Sequence, residues 1–300
     1  MQKNHLRYES GVVPVNGIDL AYHAFGRRTD PAFLLIMGLG TQMVAWDDAF
    51  CLQLMHRGYY VIRFDNRDVG LSGRPTNAGV PDLAALEQSL AVGRLERPPY
   101  TLDDMAADGI GLLLGLGIQR AHVAGVSMGG MIAQVMALTF SQHVRSLTSI
   151  MSSTGRSDLP PPTPEALAVL LTPFPTDREG YIESFVQTYS IISGPVYPIN
   201  ETRVRRWAQT HFENSLNPDG ITRQLAAILY AGDRTAALRR ITVPTLVIHG
   251  DADPLLAVAC AHATADAIPG ARLKIIPGMG HVIPEALWDY VVDQMTAHAC

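Results

Sequence analysis

The sequence is short of charge, of cysteine and of long apolar runs, and each shortage removes a class of function. Charged residues make up only 17% of the 300, with 23 Lys and Arg against 28 Asp and Glu, for a formal net charge of −5. Such a chain has no basic field to draw in a phosphate backbone, and no local run of Lys and Arg replaces one, so nucleic acid is not expected as a partner. The three cysteines, Cys51, Cys260 and Cys300, are too few and too scattered for a disulfide framework or a zinc ribbon. Cys51 and Cys260 read as small buried hydrophobes and Cys300 as a free terminal thiol, so no metal is expected. No window approaches the roughly 18 uninterrupted apolar residues of a membrane span, and Met1-Gln2-Lys3-Asn4-His5-Leu6 holds no apolar targeting core. The expectation is a cytoplasmic protein with no membrane partner. Apolar residues, by contrast, reach 47%, enough for a broad core and far from a disordered composition.

Short β-type runs alternate with longer amphipathic stretches, which predicts βαβ units around a mostly parallel sheet. Asn16-Gly17 is a tight hairpin pair between strands at 11–15 and 18–25. Further apolar runs of strand length lie at 33–37, 60–64, 122–126, 144–151, 245–249 and 273–276, giving eight strands. Helical spacing is found at 47–57, 101–116, 128–140, 255–267 and 283–297. Thr101-Leu102-Asp103-Asp104 has the form of a helix cap, since the Thr oxygen can accept from free backbone N–H groups and the acids favour the positive helix end. The mixed stretch 76–99 reads as a surface excursion.

One block breaks the alternation. From 152 to 240, prolines (Pro160, Pro161, Pro162, Pro164, Pro173, Pro175, Pro195, Pro198) separate helical stretches at 177–190, 201–212 and 218–230. This predicts a helical cap at 152–240 inserted into a core made of 1–151 and 241–300. Its aromatic residues suit a pocket lining, or the packing of the cap onto the core.

The most specific chemical signal is Gly125-Val126-Ser127-Met128-Gly129-Gly130, a G-x-S-x-G pattern between a predicted strand and a predicted helix. Serine on such a turn takes a strained conformation that lifts its hydroxyl above the sheet, while small flanking residues avoid clashes. The hydroxyl is a weak nucleophile and needs an imidazole to take its proton, with a carboxylate to orient the ring. Behind an elbow of this kind the partners follow in the order serine, acid, histidine. Of the ten histidines, His281 in the glycine-rich turn Pro277-Gly278-Met279-Gly280-His281 combines that order with a place after the last strand. His249, at a strand end, reads as structural. His249-Gly250-Asp251-Ala252-Asp253-Pro254 offers two acids. Asp253 is preferred as the orienting carboxylate, and Asp251 is expected to form a local turn. Ser152, Ser153 and Thr154 fill the other place where an acid could stand. The oxyanion is expected to face the backbone N–H groups of Met128 and of Leu39, the latter in Met37-Gly38-Leu39-Gly40. Gly38, Trp46, Tyr189 and Trp207 are the candidate substrate contacts, and Met43 and Trp46 suit the border of the acyl pocket or the core equally. Asp65-Asn66-Arg67-Asp68-Val69-Gly70-Leu71-Ser72 reads as a structural hydrogen-bonded loop.

Taken in chain order, Met37-Gly38-Leu39-Gly40, the segment 65–72, the elbow at 125–130, the segment 249–254 and the turn at 278–281 resemble the α/β-hydrolase fold superfamily over nearly the whole chain. The Met-Gly stretch at 37–38, where many relatives carry His-Gly, is similar to bacterial ester hydrolases of the aclacinomycin methylesterase type. The resemblance implies a cofactor-free serine esterase and a cap between the sixth and seventh strands that sets substrate choice. The aromatic and aliphatic residues of the cap suit a small, moderately apolar ester, and a monomer or homodimer is expected. A lactonase, a carbon–carbon bond hydrolase or a perhydrolase would keep the same triad, and a non-catalytic ligand-binding member would keep the scaffold. A dehalogenase or epoxide hydrolase would need a carboxylate where Ser127 stands.

Overall fold

The computed structural model describes residues 8–82, 84, 85, 88 and 97–299. Cys300, the first seven residues and much of the excursion at 76–99 lie outside them. The strands are β1 (Glu9–Val15), β2 (Ile18–Phe25), β3 (Ala32–Ile36), β4 (Tyr60–Phe64), β5 (Ala121–Val126), β6 (Val144–Ile150), β7 (Thr245–Gly250) and β8 (Arg272–Ile276). They form one sheet in the order β1, β2, β4, β3, β5, β6, β7, β8. Only the β1/β2 and β2/β4 pairings are antiparallel. The hairpin at Asn16-Gly17 has positive φ at both residues, 44° and 75°, the conformation that matches the twist of the flanking strands. From β3 to β8 every neighbour is parallel, so those strands all end at one edge of the sheet.

The central strands are apolar throughout because both faces are covered. In β3, Leu34 and Ile36 enter one core cluster, while Phe33 and Leu35 enter the other. On the first face lie α2 (Leu102–Gly115) and α3 (Met128–Thr139), with Ile110, Ile132 and Met136 buried against the sheet. On the second lie α1 (Asp48–His56) and α10 (Trp288–Ala299), through Phe50, Leu54, Val291 and Met295. Each such side chain contributes about 1.5–3 kcal/mol relative to exposure. Cys51 is buried here as a small hydrophobe, its thiol pushed up to about 12 by burial, and Cys260 is buried elsewhere, on the helix after β7. The Thr101 cap is a complete capping box with Asp104. No helix among the described residues is long and apolar enough to cross a membrane.

Between β6 and β7 the chain forms α4 (Pro164–Leu171), α5 (Arg178–Ile192), α6 (Glu201–Asn214), α7 (Pro218–Ala231) and the single turn α8 (Thr235–Leu238). The proline cluster does more than separate helices: Thr163 caps α4 and Pro164 occupies its first turn, where a missing N–H costs nothing. Helices α5 and α6 share a small aromatic core of Tyr181, Phe185, Val204 and Ala208. After β7 come α9 (Ala259–Ala267), β8 and α10. Two expected helix starts move downstream. Helix α9 begins at Ala259 rather than 255, after a loop in which the Asp253 side chain accepts from the amides of Leu255 and Leu256. Helix α10 begins at Trp288 because Pro284 and a 3₁₀ turn at Glu285–Leu287 precede it.

Candidate active site

One residue, Ser127, separates the end of β5 from the start of α3, and the chain must reverse there. Ser127 takes φ 55° and ψ −123°, a left-handed conformation that costs a non-glycine residue about 1–3 kcal/mol. Its N–H donates to the Ile150 carbonyl at 3.0 Å, and its own carbonyl accepts from the Ser152 hydroxyl at 2.8 Å. The glycines are required by space. A Cβ at Gly125 would lie 2.0 Å from the Gly129 oxygen, one at Gly129 2.3 Å from the Ile36 oxygen, and one at Gly130 2.6 Å from Ser152 Cβ. Helix and strand therefore approach at backbone distance. The Ser127 hydroxyl caps no amide of α3, which leaves it clear of the helix end where the dipole favours negative charge.

Facing this turn is the loop that follows β3. A Cβ on Gly38 would sit 3.2 Å from Ser127 Cβ and 3.7 Å from Oγ, so bare backbone passes the hydroxyl there. The Gly38 carbonyl accepts from Thr41 N–H at 3.3 Å. In a trans peptide the N–H points opposite to the carbonyl of the same plane, so Leu39 N–H is directed away from that turn. Met128 N–H belongs to the first turn of α3, where amides lack helical acceptors.

The acid and the imidazole hang from the ends of β7 and β8, at the sheet edge that also carries Ser127. Asp253 Oδ2 accepts from His281 Nδ1 at 2.7 Å, while Oδ1 accepts from Leu255 and Leu256 N–H, both at 2.8 Å. Burial alone would raise this carboxyl, but the neighbouring His281 and the bonds from His249 and His281 outweigh it and hold the group well below the usual carboxylate range. With Nδ1 bound to Asp253, His281 is left with Nε2 for other partners.

His249 is buried and hydrogen-bonded, in keeping with its expected structural role. Its Nε2 lies 2.7 Å from the Leu256 carbonyl and 3.3 Å from Asp253 Oδ2. A carbonyl only accepts, so Nε2 carries the proton and the ring also leans on the acid. Asp251 departs from its expected local turn: Oδ1 accepts from Gly278 N–H at 2.6 Å, joining the ends of the neighbouring strands β7 and β8. Of the two acids, only Asp253 meets the imidazole.

The candidate substrate contacts are scattered. Gly38 lies on Ser127. Tyr189 and Trp207 stand on α5 and α6, their rings 5.8 Å apart in an edge-on pair, and Tyr189 stacks on Phe185 at 4.6 Å. Burial pushes the Tyr189 phenol up to about 12, a hydrogen bond with Thr41 partly opposing it. Trp46 is only 3% exposed and packs on Phe50 in the cluster beside α1, which fits the core role, the alternative to a pocket edge. Met43 is buried as well.

The loop after β4 ties these parts together. Asp65 accepts from Met43 N–H at 2.6 Å and Leu71 N–H at 2.9 Å; burial pushes its carboxyl up to about 6, those two amides opposing. Arg67 pairs with Asp108 at 2.6 Å, and Asp68 receives both Arg223 of α7 at 2.7 Å and the Tyr100 hydroxyl at 2.8 Å. Among the described residues no three His, Cys, Asp or Glu side chains come together as a metal site.

Known proteins resemble this chain over most of its length. Rhodomycin D methylesterase of Streptomyces peucetius is 28% identical, the match covering 94% of this chain and 95% of the relative. The 3-oxoadipate enol-lactonase 2 of Acinetobacter baylyi is 25% identical over 86% of this chain and 85% of its own. The crystal structure of the enol-lactonase from Burkholderia xenovorans LB400 superposes with a TM-score of 0.72 at 23% identity, over 96% of this chain and 99% of that one. A family model described as the alpha/beta hydrolase fold matches residues 31–285. From β3 to the segment just beyond His281, this chain belongs to the α/β-hydrolase fold family.

Proposed function

We propose that the protein is a serine hydrolase of carboxylic esters, with Ser127 as nucleophile, His281 as general base and acid, and Asp253 as the carboxylate that orients the ring. The observation that carries this reading is the buried Asp253–His281 bond of 2.7 Å, at the same sheet edge as a serine held in a left-handed turn. Ser127 Oγ attacks the ester carbonyl carbon while its proton passes to His281 Nε2. The two must close to hydrogen-bond distance, a contact that often forms only as substrate binds. The carbonyl π electrons move onto oxygen, which is met by the N–H groups of Met128 and Leu39. As the carbon–oxygen bond breaks, His281 returns the proton to the leaving alcohol and an acyl-serine remains. Water then attacks, giving its proton to His281; collapse of the second tetrahedral species releases the carboxylic acid and restores Ser127.

The insertion at 152–240 acts in this reading as a cap, with Gly38, Tyr189 and Trp207 toward the substrate. The methylesterase relative favours a methyl ester as the bond cleaved, and the paired rings of Tyr189 and Trp207 suit an apolar acyl part. The enol-lactonase relative supports a second reading, a lactone, in which the leaving oxygen stays tethered to the acyl group. A panel of p-nitrophenyl, methyl and lactone substrates tests both. Ser127→Ala should lower turnover by roughly 10⁴- to 10⁶-fold with the fold intact by circular dichroism; a loss smaller than tenfold rejects the nucleophile. Faster turnover of lactones than of methyl esters selects the second reading.

A further inference from the structure

The loop that carries Leu39 is gripped mainly by the insertion. Gln224 of α7 is fully buried, and its Oε1 accepts from Gly40 N–H at 2.8 Å while its Nε2 donates to the Arg67 carbonyl at 2.9 Å. On the same peptide plane, the Leu39 carbonyl accepts from the Thr41 hydroxyl at 3.1 Å. The plane joining Leu39 to Gly40 is thus held on both sides, by a helix of the insertion and by the loop itself. Gly40 has φ 61°, and a Cβ there would meet Ile221 of α7 at 2.9 Å, so α7 presses against the loop as well as bonding it. Two residues on, Gln42 donates from Nε2 to the His211 carbonyl at 2.9 Å and accepts from Asn214 at 2.9 Å, both on α6. Fixing one plane beside Leu39 sets the backbone angle that aims the Leu39 N–H.

Resting on the esterase reading, we propose that Gln224 is a positioning residue for the oxyanion hole: it transmits the docked position of the insertion to the Leu39 N–H. The insertion is then part of the catalytic frame as well as a cover over it. Loss of the Gln224 acceptor lets the plane between Leu39 and Gly40 turn, and the donor misses the developing oxyanion. Since the ground-state ester carbonyl gains less from that donor than the tetrahedral species does, the loss falls on kcat more than on KM.

The test compares Gln224→Met, which fills the same space without an acceptor, with Gln224→Glu, which keeps an oxygen for Gly40 N–H. Steady-state kinetics with a p-nitrophenyl ester are paired with inhibition by a trifluoromethyl phenyl ketone, whose serine adduct places an oxyanion in the same donors. Gln224→Met should lower kcat about 10- to 100-fold, the range that a misplaced catalytic group produces, with KM changed less than threefold. Its inhibition constant for the ketone should weaken in step with kcat/KM. In Gln224→Glu a carboxylate would repel the Arg67 carbonyl and a protonated carboxyl would not, so its activity relative to wild type should rise as pH falls. This second variant decides the matter if Gln224→Met does not fold. A kcat within twofold of wild type, or a loss confined to KM with unchanged ketone affinity, overturns the proposal while Ser127→Ala stays inactive. Retained activity in Ser127→Ala would instead overturn the esterase reading.

Discussion

Ser127 and the groups around it are held by different means. The serine is fixed by the sheet and by exclusion: its amide stays in register with β6, and Gly125, Gly129 and Gly130 leave no room for any other approach of strand and helix. The surrounding loops are held largely by hydrogen bonds to the insertion. Gly40 N–H is bound by α7. The Pro254 carbonyl accepts from Thr163 at the start of α4 at 2.8 Å. His281 N–H and Gly280 N–H donate to the carbonyls of Ile192 and Ser193, at the end of α5, at 2.6 and 3.1 Å. A nucleophile can be built locally into a strand and a turn, whereas its partners depend on contacts between distant parts of the chain. Substitutions at the elbow and at the insertion should therefore fail in different ways.

The largest effect on this contrast is expected at the acid. Asp253→Asn keeps the size of the side chain but removes the charge that orients His281, and kcat should drop by about 10⁴, as loss of a triad acid does elsewhere. Stopped assays of ester hydrolysis measure it. Next comes the ion pair that docks α7, Asp68 with Arg223, both buried. Arg223→Met leaves the carboxylate unmatched and should cost about 3–5 kcal/mol in urea unfolding. If the insertion frames the site, kcat falls with it at urea concentrations well below global unfolding. At the elbow, Gly129→Ala drives a methyl into the Ile36 carbonyl and should cost about 1–3 kcal/mol, the usual penalty of overpacking. Activity there should be lost without any change in how the insertion docks, as read by hydrogen exchange at α7.

The smallest effect concerns acid. The folded state holds the Asp253 carboxyl below its unfolded value. Its contribution to stability is full above about pH 4, the unfolded value, and is lost as pH falls through the folded one. The thermal midpoint of Asp253→Asn should thus decline less than that of wild type between about pH 4 and pH 2.

The two kinds of support also differ in how legible they were. Strand positions, the Asn16-Gly17 hairpin, the Thr101 cap and the elbow depend on neighbours a few residues apart, and the sequence pattern places them within about two residues. The choice of Asp253 over Asp251 followed from spacing alone, and the geometry brings the same acid to His281. Gln224 gave no signal, because its partner Gly40 stands 184 residues away and a buried glutamine on a helix resembles any solvated one. Asp251 departs from its expected local turn for a related reason, since its partner Gly278 comes from the neighbouring strand end, whereas His249 keeps its expected structural role. Trp46 follows the loop after β3 closely enough in sequence to suit a pocket edge or the core, and its packing against Phe50 is a contact that the sequence alone does not single out.

The central claim is that one serine, set in a strained turn opposite a carboxylate-bound imidazole, performs covalent chemistry. A fluorophosphonate probe followed by intact-mass and peptide mapping tests it most directly. The account predicts a single phosphonyl adduct on Ser127 that disappears in Ser127→Ala. An adduct on another residue, or an enzyme that hydrolyses esters while taking up no label, would contradict it.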